Sequence, residues 1–300
     1  MELYIPLTII AIGALVAGSA GLVGSFLILR RMAMLGDAIS HAVLPGIAVA
    51  FLLTGSREPL IMVLGAGAFG LVTAWLVQTL QRAGVQEDAG IGVTFTALFA
   101  VGVVLIALFA GRVHLDLEHV LYGEIAYAPW DQWVLAGWNL GPRALWTMGL
   151  IFLVDLTVIA LFYKELKICA FDPSTAAALG INVGFFHYLL MSLVSITTVG
   201  AFDSVGAILV VAMLVVPGAT AYLLTEKLSV MLGLAVGVGA LSSLFGYLLA
   251  RWTDSSIAAA MSAVAGFLFL LAFLFAPGTG LVARLLHRRR LAGPGGQTES

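Results

Sequence analysis

The chain has 300 residues, of which 61% are hydrophobic and 10% charged, with a net charge of −2. Soluble domains contain about 45–50% apolar and about 25% charged residues, so this composition excludes a soluble globular protein. The near-neutral charge leaves no basic surface for nucleic acid, and the single cysteine excludes a disulfide framework or a multi-cysteine metal site.

Nine apolar segments follow one another at lengths that suit transmembrane helices of roughly 20 residues. They lie near residues 5–29, 36–54, 60–80, 90–110, 143–163, 184–203, 205–225, 229–250 and 256–276. The first is longer than the apolar core of a cleaved signal peptide, so we expect it to be a retained span. The segments are also longer and more continuous than the alternating strands of an outer-membrane barrel. We therefore predict an all-α fold, a polytopic transmembrane helical bundle of about nine spans.

The distribution of lysine and arginine predicts the orientation of these spans. If the amino terminus is outside and the carboxy terminus in the cytoplasm, ten of the 14 basic residues lie on the cytoplasmic side. Short cytoplasmic loops carry an excess of basic residues, so this is the orientation that we expect. We predict one transmembrane domain over residues 1–290, followed by a disordered cytoplasmic tail over residues 291–300.

The sequence does not support either of two common nucleotide-binding motifs. Residues 65–70 match G-x-G-x-x-G, but that pattern requires a strand before it and a helix after it. Here it lies inside an apolar segment, where close helix packing is the favoured reading. No G-x-x-x-x-G-K-[ST] loop occurs in the sequence, so we do not expect this chain to hydrolyse ATP.

The second segment carries the most informative polar residues. Asp37 and His41 are four positions apart, so a helix projects both from one face. A carboxylate and an imidazole suit Zn²⁺, Mn²⁺ or Fe²⁺, and ionisable groups at membrane depth usually face a pathway or the bundle interior. From the residues alone, a metal site and a simple pair at the cytoplasmic interface are equally good explanations. A metal site would need further ligands from a partner or from water.

Four stretches together resemble a known family. The first is Gly36 to Gly46, GDAISHAVLPG, which follows an arginine pair. The others are Phe171 to Ile181, Val205 to Ala221 and, more weakly, Tyr122 to Ile125. They resemble the permease family of metal-importing ABC transporters over nearly the whole chain. Glu124 replaces the aspartate usual in that family, and the family's proline-glycine stretch before the last span is absent.

The resemblance implies a function and a set of partners. The chain would be the permease of a bacterial inner-membrane importer of manganese, zinc or iron, with these ions as substrate and no resident cofactor. It would form a dimer with itself or a paralogue, with a cytoplasmic ATPase and an extracytoplasmic metal-binding protein as further partners. Asp37 and His41 would form the transit site.

The resemblance also implies a coupling loop for the ATPase at about residues 164–183. Asp172 suits the cap of a short helix that begins at Pro173, and Gly180 suits its end. Ala178, Leu179 and Gly180 would contact the ATPase.

Other polar residues could border the pathway or its entrance, although each also has an ordinary structural explanation. They are His114, Asp116, Glu118, His119, Glu124, Asp155 and Asp203. The first four can equally be an exposed external loop, and Asp155 can equally be a neutral or paired interior residue.

Two other classes of function are considered. A proton-coupled secondary transporter could use Asp37, His41 and Asp155 as a proton relay. An intramembrane metalloenzyme is disfavoured because the sequence has no H-E-x-x-H pair.

Overall fold

The computed structural model describes residues 4–55, 59–109, 125–135, 138–276 and 280–281. Within these ranges the helices are α1 (Tyr4–Leu29), α2 (Ala33–Thr54), α3 (Pro59–Arg82), α4 (Glu87–Phe109), α5 (Arg143–Leu161), α6 (Tyr163–Phe171), α7 (Pro173–Ala178), α8 (Val183–Val205), α9 (Ala207–Leu224), α10 (Leu228–Thr253) and α11 (Ile257–Phe275). The strands β1 (Gln132–Leu135) and β2 (Trp138–Pro142) pair antiparallel.

Nine helices of the described ranges are long and apolar enough to cross a membrane: α1 to α5 and α8 to α11. They confirm the nine predicted segments, with ends that differ by a few residues. The predicted tail over residues 291–300 lies outside the described residues, as does most of the long polar stretch before residue 125.

Two elements were not predicted from the sequence. The hairpin β1–β2 lies at the end of residues 111–142, a polar stretch that the expected orientation puts outside and in which we expected a partly embedded helix near Leu117 to Ile125. Helix α6 follows α5 after a break at Phe162, whose φ of −104° and ψ of 26° depart from helical values. The chain between α5 and α8 is therefore mostly helical rather than an extended loop.

Helix α1 is the centre of the bundle and packs against α10, α9, α5 and α8. Small residues bring α1 and α10 close together: a Cβ added at Gly21 would lie 3.4 Å from the carbonyl oxygen of Ala235. The Ser243 hydroxyl donates a hydrogen bond of 2.9 Å to the Ile10 carbonyl. These contacts also show that the two helices run antiparallel. Small residues permit such close approach between helices in membranes.

Helices α2, α3 and α4 form a second group around the polar segment of α2. A Cβ placed at Gly46 would lie 2.7 Å from both the Ala66 Cα and the Gly65 carbonyl oxygen, and one at Gly102 would lie 2.8 Å from the Pro45 nitrogen. Gly65, the first glycine of the 65–70 pattern, thus serves helix packing, the role that its place inside an apolar segment predicted.

We predict that Gly46→Ala destabilises the protein, because the added methyl group has no space between α2 and α3. Overpacking of this kind costs about 1–3 kcal/mol. The measurement is thermal unfolding of the purified protein in nanodiscs. Gly67→Ala is the matched control, since a Cβ there meets nothing within 4 Å. Equal melting temperatures for the two variants would contradict the packing role of Gly46.

Candidate metal site

Asp37 and His41 lie one turn apart near the start of α2 and point to the same side. The His41 Nε2 atom is 3.7 Å from the Asp37 Oδ1 atom, and the two side chains are 36% and 35% exposed. This distance is too long for a hydrogen bond, so both groups keep their lone pairs available. Leu44, Pro45 and Ala48, further along the same face, are buried. From Leu44 to Ala48 this face of α2 is therefore covered, whereas the acid–histidine pair before it is partly exposed.

Two phenylalanines of α4 orient the His41 ring. The Phe95 ring centre is 5.1 Å from that of His41 with the planes tilted by 32°. Phe99 meets the imidazole edge-on at 5.7 Å. Pairs at these separations gain stabilisation beyond the area that they bury. Neither phenylalanine was predicted from the sequence to contact His41. Their spacing of four residues predicts only that both lie on one face of a helix.

The pair supplies one oxygen ligand and one nitrogen ligand from a single chain. Zn²⁺ needs about four ligands, and Mn²⁺ commonly takes an octahedral set. In the part of the chain that the structure describes, no group of three or more His, Cys, Asp or Glu residues could hold a metal ion. Asp37 and His41 thus form a partial site that needs ligands from elsewhere.

The predicted capping of α7 is confirmed by the structure. The Asp172 carboxylate accepts hydrogen bonds from the Ser174 hydroxyl at 2.5 Å, the Thr175 hydroxyl at 2.5 Å and the Thr175 amide at 3.0 Å. These bonds lower the pKa of Asp172 to about 2. Since the folded pKa is depressed, the cap's contribution is complete above the usual aspartate pKa of about 3.9 and is lost as the pH falls through 2.

The rest of the predicted coupling segment is accessible. Pro173, Ala178, Leu179 and Gly180 are all exposed, and Leu179 is 65% exposed despite its apolar side chain. Gly180 has a φ of +80°, which favours glycine and ends the helix. The segment therefore presents a short, rigid surface outside the membrane spans.

Asp155 is fully buried. It lies on α5, a different helix from the one that carries Asp37 and His41. Its Oδ2 atom accepts a hydrogen bond of 2.8 Å from the Thr197 hydroxyl on α8. Helix α5 packs on α1 and α8, whereas His41 faces α4. Among the described residues, no hydrogen bond or ion pair joins Asp155 to Asp37 or His41.

Most of the remaining predicted entrance residues belong to a part of the chain that the structure does not describe. His114, Asp116, Glu118, His119 and Glu124 lie outside the described residues. Asp203 lies in the last turn of α8.

A further polar contact joins the end of α1 to the start of α8. The Arg30 Nη1 atom lies 3.3 Å from the His187 Nδ1 atom, which accepts the hydrogen bond because guanidinium can only donate. Burial lowers the pKa of Arg30, and burial raises the pKa of the nearby Cys169 thiol. This contact could not be predicted from the sequence, because the two residues are 157 positions apart.

Comparison with known proteins gives a consistent result. Residues 4–276 match the ABC 3 transport family. The chain is 52% identical over 279 residues to the manganese transport system membrane protein MntD of Bacillus subtilis, covering 93% of this chain and 95% of MntD. It is 44% identical over 284 residues to the zinc transport system membrane protein TroD of Treponema pallidum, covering 94% and 77%. The structure of PsaBC from Streptococcus pneumoniae matches with a TM-score of 0.76 and 34% identity, covering 94% of each chain.

We predict that Asp155→Asn is less destabilised than Asp155→Leu, because the amide oxygen can still accept the Thr197 hydrogen bond, although the amide NH2 group would replace Oδ1, which has no hydrogen-bond partner among the described residues. Asp155→Leu removes that acceptor, and losing a buried hydrogen-bond partner costs about 1–3 kcal/mol. Thermal unfolding of both variants in nanodiscs measures the difference. If the Asn variant is destabilised as much as the Leu variant, the carboxylate has a role other than accepting this bond.

Proposed function

The chain belongs to the ABC 3 transport family, and from that premise we propose that it is the membrane-spanning subunit of an ATP-driven importer of a divalent transition-metal ion. The observation that carries this proposal is the Asp37–His41 pair, which opens on one side of a membrane-spanning helix. Ionisable side chains at membrane depth are costly and mark ion pathways. The chain itself carries out no covalent chemistry in this proposal.

The partial site supports a dimer as the transporting unit. Two chains related by a two-fold axis would each donate an aspartate and a histidine from the same surface, since a two-fold interface uses one patch twice. Four protein ligands would then surround one ion. The partner is a second copy or a paralogue that carries the same pair.

Mn²⁺ is the first candidate substrate, followed by Zn²⁺ and Fe²⁺. Carboxylate ligands suit Mn²⁺, and imidazole suits zinc and iron, so the ligand types admit all three ions. The manganese assignment rests on the 52% identity to a protein named for manganese transport. The ion is a transported substrate here and not a resident cofactor.

A transit site must bind the ion and also release it. Conduction requires binding that is favourable enough for the ion to enter and weak enough for it to leave. The half-exposed pair suits this requirement, because it has no fixed third ligand from its own chain among the described residues. Phe95 and Phe99 hold the imidazole in place through ring packing, so His41 is oriented without being locked by a hydrogen bond.

A separate ATPase would drive transport by docking on α7. The exposed surface from Ala178 to Gly180 supports this role, because it is short, apolar and rigidly capped by Asp172. The Arg30–His187 contact places the α1–α2 turn at the same end of the bundle as the start of α8. Motion of the docked segment would thereby reach α2. An extracytoplasmic metal-binding protein would deliver the ion at the opposite face, and the carboxy terminus would lie in the cytoplasm.

A proton-coupled secondary transporter is the less favoured alternative. Its relay would need Asp155 to exchange protons with Asp37 and His41, but Asp155 bonds to Thr197 between other helices. Metal uptake driven by a proton gradient without ATP would nevertheless favour it over the ABC importer.

We predict that Asp37→Ala and His41→Ala each abolish Mn²⁺ uptake, because each removes a ligand of the transit site. The measurement is accumulation of radioactive manganese in cells whose own copy of this gene is deleted. Co-purification with the ATPase tests that assembly is intact. Asp88→Ala, an exposed acidic residue in the first turn of α4, is the matched control. Normal uptake in both site variants would refute the assignment.

We also predict that Ala178→Trp uncouples ATP hydrolysis from transport, because the bulky side chain alters the exposed docking surface. The complex reconstituted in liposomes should continue to hydrolyse ATP while importing little metal. Glu226→Trp, in the exposed connection between α9 and α10, serves as the control. A wild-type ratio of metal imported to ATP hydrolysed in Ala178→Trp would contradict a role of this surface in coupling.

A further inference from the structure

The hairpin β1–β2 is bonded to the first turns of α5. The Trp146 indole N–H donates a hydrogen bond of 2.8 Å to the Leu140 carbonyl. The Arg143 amide donates one of 2.8 Å to the Asp131 carbonyl at the base of the hairpin. The hairpin is therefore fixed to the end of a membrane-spanning helix and does not extend freely from it.

A second contact sets the level of the hairpin relative to the membrane. A Cβ placed at Gly141 would lie 3.6 Å from the hydroxyl of Tyr4, the first residue of α1. Helices α1 and α5 are both candidate spans. The hairpin thus lies where two spans begin, which is the level of the boundary between hydrocarbon and water.

One face of the hairpin exposes large apolar side chains. Gln132 pairs with Pro142 and Val134 with Asn139, so the register shifts between these pairs and Trp133 lies opposite both Leu140 and Gly141. Trp133 and Leu140 are therefore cross-strand neighbours at this bulge. These two side chains are 44% and 43% exposed. The sequence of residues 132–142, QWVLAGWNLGP, contains no charged residue.

This face continues an exposed apolar stripe of α5. Trp146, Leu150 and Leu153 follow the helical spacing of four and three residues and are 49%, 63% and 59% exposed. Leucines exposed in the middle of a span in the single chain are the side chains available for contact with lipid. The hairpin face and the lipid-facing stripe meet at Trp146, through its bond to Leu140.

A third tryptophan marks the same level on the far side of α1. Trp252 is 84% exposed at the end of α10. Because α10 runs antiparallel to α1, Trp252 lies at the end of the bundle where α1 begins at Tyr4. Tryptophan and tyrosine are enriched at membrane–water interfaces, where the ring is apolar and its N–H or O–H is hydrated.

We propose that the β1–β2 hairpin lies in the lipid headgroup layer and anchors the outer ends of α1 and α5 there. Its occupant is the phospholipid interface of one leaflet, contacted by Trp133, Leu140 and Trp146. The exposed charged residues Asp131 and Arg143 lie at the base of the hairpin, and the strands between them are uncharged and rich in tryptophan, a composition that suits the headgroup layer. Part of the polar stretch that the expected orientation puts outside is, in this proposal, a membrane-surface element.

The test is the depth of a spin label in the complete protein. Cys169 is the single cysteine of the chain and is buried, so Cys169→Ala provides a background for single labels. Trp133→Cys is labelled in nanodiscs of bacterial phospholipids, and collision rates with oxygen and with a water-soluble nickel chelate are measured. Leu153→Cys calibrates the lipid core. Ser255→Cys, in the exposed turn after α10, calibrates water at the same end of the molecule.

We expect the oxygen-to-nickel collision ratio at Trp133→Cys to be several-fold above that at Ser255→Cys and below that at Leu153→Cys. A ratio equal to that of Ser255→Cys would place the hairpin in water and overturn the proposal. The proposal would also be overturned if the label at Trp133→Cys became protected from the nickel chelate only after the extracytoplasmic metal-binding protein was added. The hairpin face would then be a protein-docking surface. Leu140→Cys repeats the measurement at the paired strand, in case the Trp133 substitution alters the hairpin. None of these outcomes depends on metal transport.

Discussion

Close contact between helix backbones is the constraint on which this bundle depends. Inside a bilayer the lipid tails are as apolar as leucine, so burying leucine between helices gives little drive for association. Van der Waals contact must provide it, and such contact requires backbones to approach closely. Gly46 against Ala66 and Gly102 against Pro45 are places where a single methyl group would separate two helices. The 34 glycines of the chain are consistent with this requirement.

The same constraint decides where polar groups can lie. An interior polar group must find a partner, and the structure gives Asp155 the Thr197 hydroxyl and gives Arg30 the His187 ring. Asp37 and His41 differ from these because they remain half-exposed and too far apart for a hydrogen bond. This contrast separates polar residues that serve packing from the pair that we assign to the ion. Sequence alone could not separate them, since all are ionisable residues in or beside apolar segments.

Local patterns in the sequence predicted local structure well. Runs of apolar residues predicted the nine spans, and the order Asp172-Pro173 predicted the cap and start of α7, because those features depend on neighbours within a few residues. The Asp37–His41 pair was likewise visible from a spacing of four. Contacts between distant segments were not visible: Thr197 is 42 residues from Asp155, and Phe95 lies on a different helix from His41. The hairpin was not predicted from the sequence, because exposed tryptophans are equally compatible with a loop.

Pro45 lies inside α2, four residues after His41. Proline has no amide N–H, so the His41 carbonyl lacks the donor that residue 45 would otherwise provide within the helix. The backbone of α2 therefore has one hydrogen bond fewer at this point than an uninterrupted helix would have. Helices bend most readily at such positions. The half that carries Asp37 and His41 is therefore connected to the half held by Gly46 against α3 at the point where the internal hydrogen bonding of α2 is weakest.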